Sequence, residues 1–476
     1  MKLLYVGAEA LPFASTGGLA DVLGSLPAAL KRKQGEDLDI RVVLPLYQSV
    51  SEKYRSQMEL VTEFYVQLSW RHQYCGLYSY ELNDVTYYFV DNQYYFSRSN
   101  LYGNFDDGER FAFFCMAVME MMPRIGFFPD VLHAHDWQSA LSVIYLRTKY
   151  NWMKEYRGIK TVYTIHNIDY QGMYDLAILG DVFGLSDYER SIVEYNGMIN
   201  LTKGAIVCCD RLTTVSQRYA EEIQMDYFAA GLQHVLRMYS GKVMGIVNGI
   251  DVDYYNAEKD PVIRQTYTVD TVSAGKAANK AELQKTFGLP ESPATPVIAM
   301  VSRLASHKGF DLVKYAIERL LVRDVQFVLL GTGEAELERF FEQLQQRYPE
   351  KVSILLAYNK DVSKQIYAGA DIFLMPSKSE PCGLAQMIAS RYGTVPIVRE
   401  VGGLYDTIRP FNPMTGEGNG ITFCNYDALD MLDAIIRAVD LYGDTEKWEL
   451  LRANAMKVDF SWSVSAQKYL DMYNTL

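Results

Sequence analysis

Residues 296–330, PVIAMVSRLASHKGFDLVKYAIERLLVRDVQFVLL, read as one strand, turn, helix and strand unit. The apolar run at 296–300 is short enough for a strand buried on both faces. Leu312, Ala316, Ile317, Leu320 and Leu321 then recur at helical spacing, giving one apolar stripe to lay against a sheet. The run at 325–330 supplies the next strand. Strand, crossover helix and strand in that order build a parallel sheet.

The same unit repeats downstream, with strands expected at 352–356, 371–375 and 395–398. Upstream it appears at 3–6, 40–44, 85–90, 131–134, 160–165, 206–208 and 212–215, with helical stretches such as 19–31 and 109–124. Two successive series predict an α/β chain of two Rossmann-like domains rather than one sheet. The break falls near Val247-Asn248-Gly249-Ile250-Asp251, where Asn-Gly signals a turn. The polar stretch 256–280 leads into the second series, and Ser463 is the expected cap of a last helix.

A chain of 476 residues suits two such domains. With 49% apolar and 22% charged residues it is globular in composition. A net charge of −12 and a pI near 5.2 exclude a nucleic-acid partner, which calls for basic surface. A single nucleotide remains possible, because a few local cations and helix N-termini can hold a small anion. No apolar run reaches the ~18–20 residues of a membrane span, and the N-terminus reads as a strand, so a cytoplasmic protein is expected. The six cysteines are scattered without a C-x-x-C pair, which argues against a disulfide or zinc framework.

Candidate chemistry lies at the strand ends. Ser15-Thr16-Gly17-Gly18 precedes a helix, where paired glycines let backbone N–H groups approach an anion; a turn that binds nothing has the same spacing. Arg303 and Lys308 follow the strand at 296–300 and read as a phosphate clamp or as a solvated surface pair. In Glu380-Pro381-Cys382-Gly383-Leu384 a carboxylate precedes amides at a helix start, for sugar hydroxyls or only for the helix dipole. Gly402-Gly403 is either a second ligand turn or a plain one. His133-Ala134-His135-Asp136 invites a metal reading, yet spacing shows no third ligand. Asp136 and His166 read better as hydrogen-bonding groups for a sugar, and His133 as a buried, satisfied histidine. Asp-x-Asp pairs at Asp37/Asp39 and Asp251/Asp253 lack a site context, so no metal site is assigned. No P-loop sequence is present, and Gly331-Thr332-Gly333 lacks the third glycine of a dinucleotide fingerprint.

In order and spacing these segments resemble the bacterial glycogen synthase and plant starch synthase family over essentially the whole chain. The matching stretches include Ala8-Glu9-Ala10, Thr16-Gly17-Gly18-Leu19-Ala20-Asp21-Val22, Leu101-Tyr102-Gly103 and Asp459-Phe460-Ser461-Trp462. The resemblance implies a GT-B fold of two Rossmann-like domains facing across a deep cleft. It divides the chain into an acceptor-side domain, 1–247 joined by the helix 460–476, and a donor-side domain, 248–459. It implies metal-independent transfer of glucose from ADP-glucose to the non-reducing end of an α-1,4-glucan, with retention and no cofactor. By the same resemblance Arg303, Lys308 and the Gly17-Gly18 backbone would hold the diphosphate. Glu380 would bind donor hydroxyls, and Asp136 and His166 would border the reacting glucose. Tyr102, Asn248, Cys382, Gly383, Leu384, Gly402 and Gly403 would complete the donor and sugar pocket.

The chain departs from the family pattern at Ser15, usually lysine, at Lys378-Ser379, usually Arg-Phe, and at Val401, usually threonine. These changes keep open a UDP-glucose enzyme or a non-catalytic, glucan-binding paralogue.

Overall fold

The computed structural model describes all 476 residues. They form two compact units, Met1–Gly249 with Trp462–Leu476, and Ile250–Ser461.

The first unit is built on nine strands: β1 (Lys2–Val6), β2 (Asp39–Pro45), β3 (Glu59–Leu68), β4 (Arg71–Leu82), β5 (Val85–Asp91), β6 (Val131–His135), β7 (Lys160–Ile165), β8 (Arg211–Thr214) and β9 (Val243–Gly245). Their order is β9-β8-β7-β6-β1-β2-β5-β4-β3. From β9 to β5 every neighbouring pair is parallel, while β5–β4 and β4–β3 are antiparallel. The chain leaves β1 for β2 on one side and later starts β6 on the other. That reversal makes a topological switch point at the carboxyl ends of β1 and β6, where open α/β sheets bind ligands.

The second unit is a six-stranded, wholly parallel sheet. It comprises β10 (Val297–Val301), β11 (Gln326–Leu330), β12 (Val352–Leu355), β13 (Ile372–Met375), β14 (Val395–Arg399) and β15 (Ile421–Phe423), in the order β12-β11-β10-β13-β14-β15. Its switch point lies between β10 and β13. Leu312, Ala316, Ile317, Leu320 and Leu321 are all buried in the core on this sheet, as their spacing requires.

Two expectations need correction, and some strands were not expected at all. The run 206–208 is not a strand but the end of helix Leu201–Cys208, which Asn200 caps by accepting from the Lys203 amide. Gly204 in that helix lies against Ile144, where an added Cβ would stand 2.7 Å from the Ile144 Cδ1, so the segment is apolar for helix-on-helix contact. Ser463 does not cap the last helix, which already begins at Trp462; the Asp459 side chain instead accepts from the Ser461 amide just before it. The hairpin β3–β4 and the short strands β9 and β15 were not anticipated. β3 is half exposed, so its apolar content is too low for the run-of-apolar signature that marks the buried strands.

The terminal helix Trp462–Tyr473 belongs to the first unit and packs along helix Gly18–Gln34. Its Tyr473 hydroxyl lies 2.6 Å from His133 Nδ1 and 2.5 Å from the Tyr5 hydroxyl, all three buried. His133 Nε2 is 2.6 Å from the Thr164 hydroxyl, so both ring nitrogens are satisfied. Removing the Tyr473 hydroxyl leaves a buried imidazole nitrogen without a partner. Tyr473→Phe is therefore expected to lower the unfolding free energy by about 1–3 kcal/mol in urea, and an unchanged transition would contradict this anchoring.

Candidate functional site

Each unit gathers its candidate residues at its own switch point. In the first unit the chain leaves β1 and reaches Glu9, a residue only 3% exposed. Four donors converge on it: the Thr16 amide, the Thr16 hydroxyl (2.7 Å), the Gly17 amide (3.2 Å) and the Tyr102 hydroxyl (2.6 Å). Tyr102 is delivered by a pinned loop, since buried Arg110 donates to the Leu101 carbonyl and to Asp107, and Asp107 accepts from the Gly103 amide. A buried carboxylate satisfied by neutral donors thus shapes the glycine turn.

Gly17 has extended backbone (φ −167°), which any residue adopts. A Cβ on either Gly17 or Gly18 would meet nothing within 4 Å. The fold itself therefore does not demand glycine here; the bare backbone leaves space. Gly18 opens a 17-residue helix, so its amide has no intrahelical acceptor and sits at the positive end of the dipole. Ser15 is exposed beside this turn and carries no charge.

At the end of β6, Asp136 adopts φ +58°, a left-handed conformation costly for a non-glycine residue. Its amide donates to the Thr164 carbonyl (2.9 Å), and its Oδ1 accepts from the His166 amide (2.7 Å). Burial pushes the Asp136 carboxyl up to about 7, with the Glu9 charge adding to the effect and the His166 amide opposing it. His166 follows β7, and burial holds its imidazole down at about 3, so it is neutral at ordinary pH. Its Nε2 lies 3.0 Å from His135 Nδ1. Asn248, beyond β9, is 6% exposed, and its Oδ1 is buried without a partner.

In the second unit β10 runs into Arg303, which is exposed and whose guanidinium meets no acceptor in the structure. Lys308 closes a one-turn helix, Ser306–Lys308, and is aimed by Gly309 at φ +80°. Only glycine fits there, because a Cβ would stand 2.1 Å from the Pro376 carbonyl oxygen. That approach joins the loops after β10 and β13. Lys308 Nζ then reaches both oxygens of Glu380, at 3.0 and 2.7 Å, and Ser377 Oγ donates to the same carboxylate at 3.0 Å. Glu380 is 6% exposed. Beyond it the turn Cys382-Gly383-Leu384 leads into helix Ala385–Arg391, with Gly383 at φ +73° and Gln386 holding the carbonyls of Cys382 and Gly383.

The second glycine pair differs from the first. A Cβ on Gly402 would stand 2.0 Å from the Glu380 carbonyl oxygen, and one on Gly403 2.1 Å from that of Cys382. The Gly403 amide donates to the Glu380 carbonyl at 3.1 Å. Glycine here is demanded by backbone packing that supports the Glu380 loop. Sequence reasoning named neither Glu9 nor His135 as part of the site. For His135 the signal was its place two residues from His133, on the same face of β6; for Glu9 spacing carried none.

A family model described as the starch synthase catalytic domain matches residues 2–238, and one for glycosyl transferases group 1 matches residues 282–457. Among similar proteins, a glycogen synthase of Ligilactobacillus salivarius is 46% identical over 478 residues, with all of each chain covered. One from Anoxybacillus flavithermus is 48% identical, covering 100% of this chain and 98% of that one. Among solved structures, the catalytic domain of starch synthase IV from Arabidopsis thaliana, bound to ADP and acarbose, matches with a TM-score of 0.91 at 33% identity. That match covers 99% of this chain and 98% of the other. A sucrose-phosphate synthase from Thermosynechococcus elongatus matches at a TM-score of 0.62 and 16% identity, a likeness of fold alone that covers 100% of this chain and 98% of that one. The two α/β units are those of a GT-B glycosyltransferase, and the chain belongs to the glycogen and starch synthase family.

Proposed function

We propose that this enzyme transfers glucose from ADP-glucose to the non-reducing end of an α-1,4-glucan, with retention at the anomeric carbon and without a metal ion. The observation that carries the reading is the cluster at the second unit's switch point: Arg303 with no partner, and Lys308 fixed on the buried Glu380 carboxylate. An unpaired guanidinium and an ammonium suit two phosphates, and the carboxylate suits the hydroxyls of the attached sugar. ADP as the nucleotude component draws support from the ADP-bound relative. The donor-binding role thus falls to 248–459, and the acceptor role to 1–247 with 460–476.

In this reading Arg303, Lys308 and the Gly18 amide neutralise the leaving diphosphate. The bond from the anomeric carbon to phosphate breaks while the acceptor hydroxyl bonds to the same face. The leaving phosphate takes the hydroxyl's proton, so no covalent nucleophile is needed. Asp136 fixes the His166 amide, which orients that residue's backbone for its carbonyl to steady positive charge at the anomeric carbon. Asn248, Tyr102 and the Cys382-Gly383-Leu384 turn frame the sugar.

A second reading, with UDP-glucose as donor or with weakened catalysis, draws on Ser15. A missing charged hydrogen bond to the diphosphate lowers affinity by about 1.5–3 kcal/mol. The discriminating assay offers glycogen with ADP-glucose or UDP-glucose. Release of ADP with lengthened chains is expected; turnover with UDP-glucose alone would favour UDP-glucose as donor, and none with either would rule out the transfer and leave the non-catalytic, glucan-binding paralogue.

Two variants test the site itself. Gly18→Ala is expected to leave the Tm unchanged, since its Cβ meets nothing, while raising KM for the donor. A fall in Tm with unaltered KM would make the turn merely structural. For Asp136 the folded pKa of about 7 lies above the ordinary aspartate value of 3.8. Its contribution to stability is therefore full below about pH 4 and is lost as pH rises through about 7. Asp136→Asn should accordingly raise the Tm at pH 8, with little gain at pH 4, and should cut kcat. A variant less stable than the parent at pH 8 would refute this.

A further inference from the structure

His135 carries no role in the reaction as described, yet it is fully buried beside the residues that do. Its ring stacks on His133 at 4.2 Å and 25°, and lies 5.2 Å from the Tyr5 ring. His133 is in turn locked by Tyr473 and Thr164. The His135 ring is thus held from behind, with Nδ1 facing His166 Nε2 at 3.0 Å. Its own Nε2 is sealed from solvent and has no partner.

A hydrogen bond between two imidazole nitrogens needs one N–H and one lone pair. Burial lowers the pKa of both rings, so each keeps a single proton. If His166 were the donor, His135 would carry its proton on Nε2, as a buried N–H with no acceptor. Orphaned buried N–H groups are rare in native structures. If His135 is the donor, Nε2 is left as a bare lone pair and the N–H is satisfied.

We infer that His135 is a positioning residue: it donates from Nδ1 to His166 Nε2 and so fixes His166 as the Nδ1–H tautomer. His135 and Asp136, adjacent at the end of β6, then hold His166 twice, the first by its ring and the second by its amide. His166 Nδ1 has no protein partner and is left as a donor only. It therefore selects an acceptor, such as a sugar hydroxyl oxygen, and does not take up a proton there. This last step rests on the reading that His166 borders the transferred glucose; the tautomer does not.

The test is nitrogen-15 NMR of the imidazoles, tractable with only six histidines, with His166→Phe to assign the signal. The unmodified chain should show His166 with Nδ1 protonated. His135→Leu should shift that signal toward the Nε2–H form and lower kcat by about 10- to 100-fold, with KM for the donor less affected. His135→Asn, whose amide can donate from near the Nδ1 position, should restore the Nδ1–H signature and part of kcat. An Nε2–H signal in the unmodified chain, or an unchanged tautomer in His135→Leu, would overturn the inference. The signal needs no donor substrate, so the tautomer without any turnover would count against the proposed reaction and leave this assignment standing.

Discussion

Glu380 is buried only because Lys308 meets it. An isolated carboxylate at that depth would carry several kcal/mol of desolvation, and a lysine on both oxygens with a serine hydroxyl offsets it. The geometry around the pair follows from that requirement. Gly309 takes a left-handed turn and lies against Pro376, which aims Lys308 at the carboxylate, while Gly402 and Gly403 press on the carbonyls of Glu380 and Cys382 from the other side. The Gly309–Pro376 approach and the Lys308–Glu380 pair therefore tie the loops after β10 and β13 together at the switch point.

The first unit meets the same problem differently. Glu9 is as deeply buried but is satisfied by neutral donors, and its carboxylate adds to the burial that raises Asp136 toward neutrality. Asp136 combines a strained backbone with an unfavourable charge, two costs that concentrate where function is expected. The terminal helix supports this region from below, through Tyr473 and His133, although its sequence lies more than 300 residues beyond β6.

The buried parallel strands were legible where an apolar run marks them, as at β1, β10 and β11. The hairpin β3–β4 was not, since a strand with one solvated face dilutes that signal, and 206–208 misled because an apolar helix end looks like a short strand. Gly17-Gly18 and Gly402-Gly403 are alike as sequence. Only the structure separates a pair with open space beside it from a pair jammed against backbone. The phosphate and sugar candidates were legible as residue types at strand ends. The hydrogen bonds of Glu9 and the coupling of His135 to His166 were not, because they depend on partners brought together by the fold.

The most direct measurement is the structure of the chain determined with ADP bound. β-Phosphate oxygens are expected within about 3.2 Å of both the Arg303 guanidinium and Lys308 Nζ, with Glu380 still held by Lys308. ADP bound with neither cation in reach would contradict it.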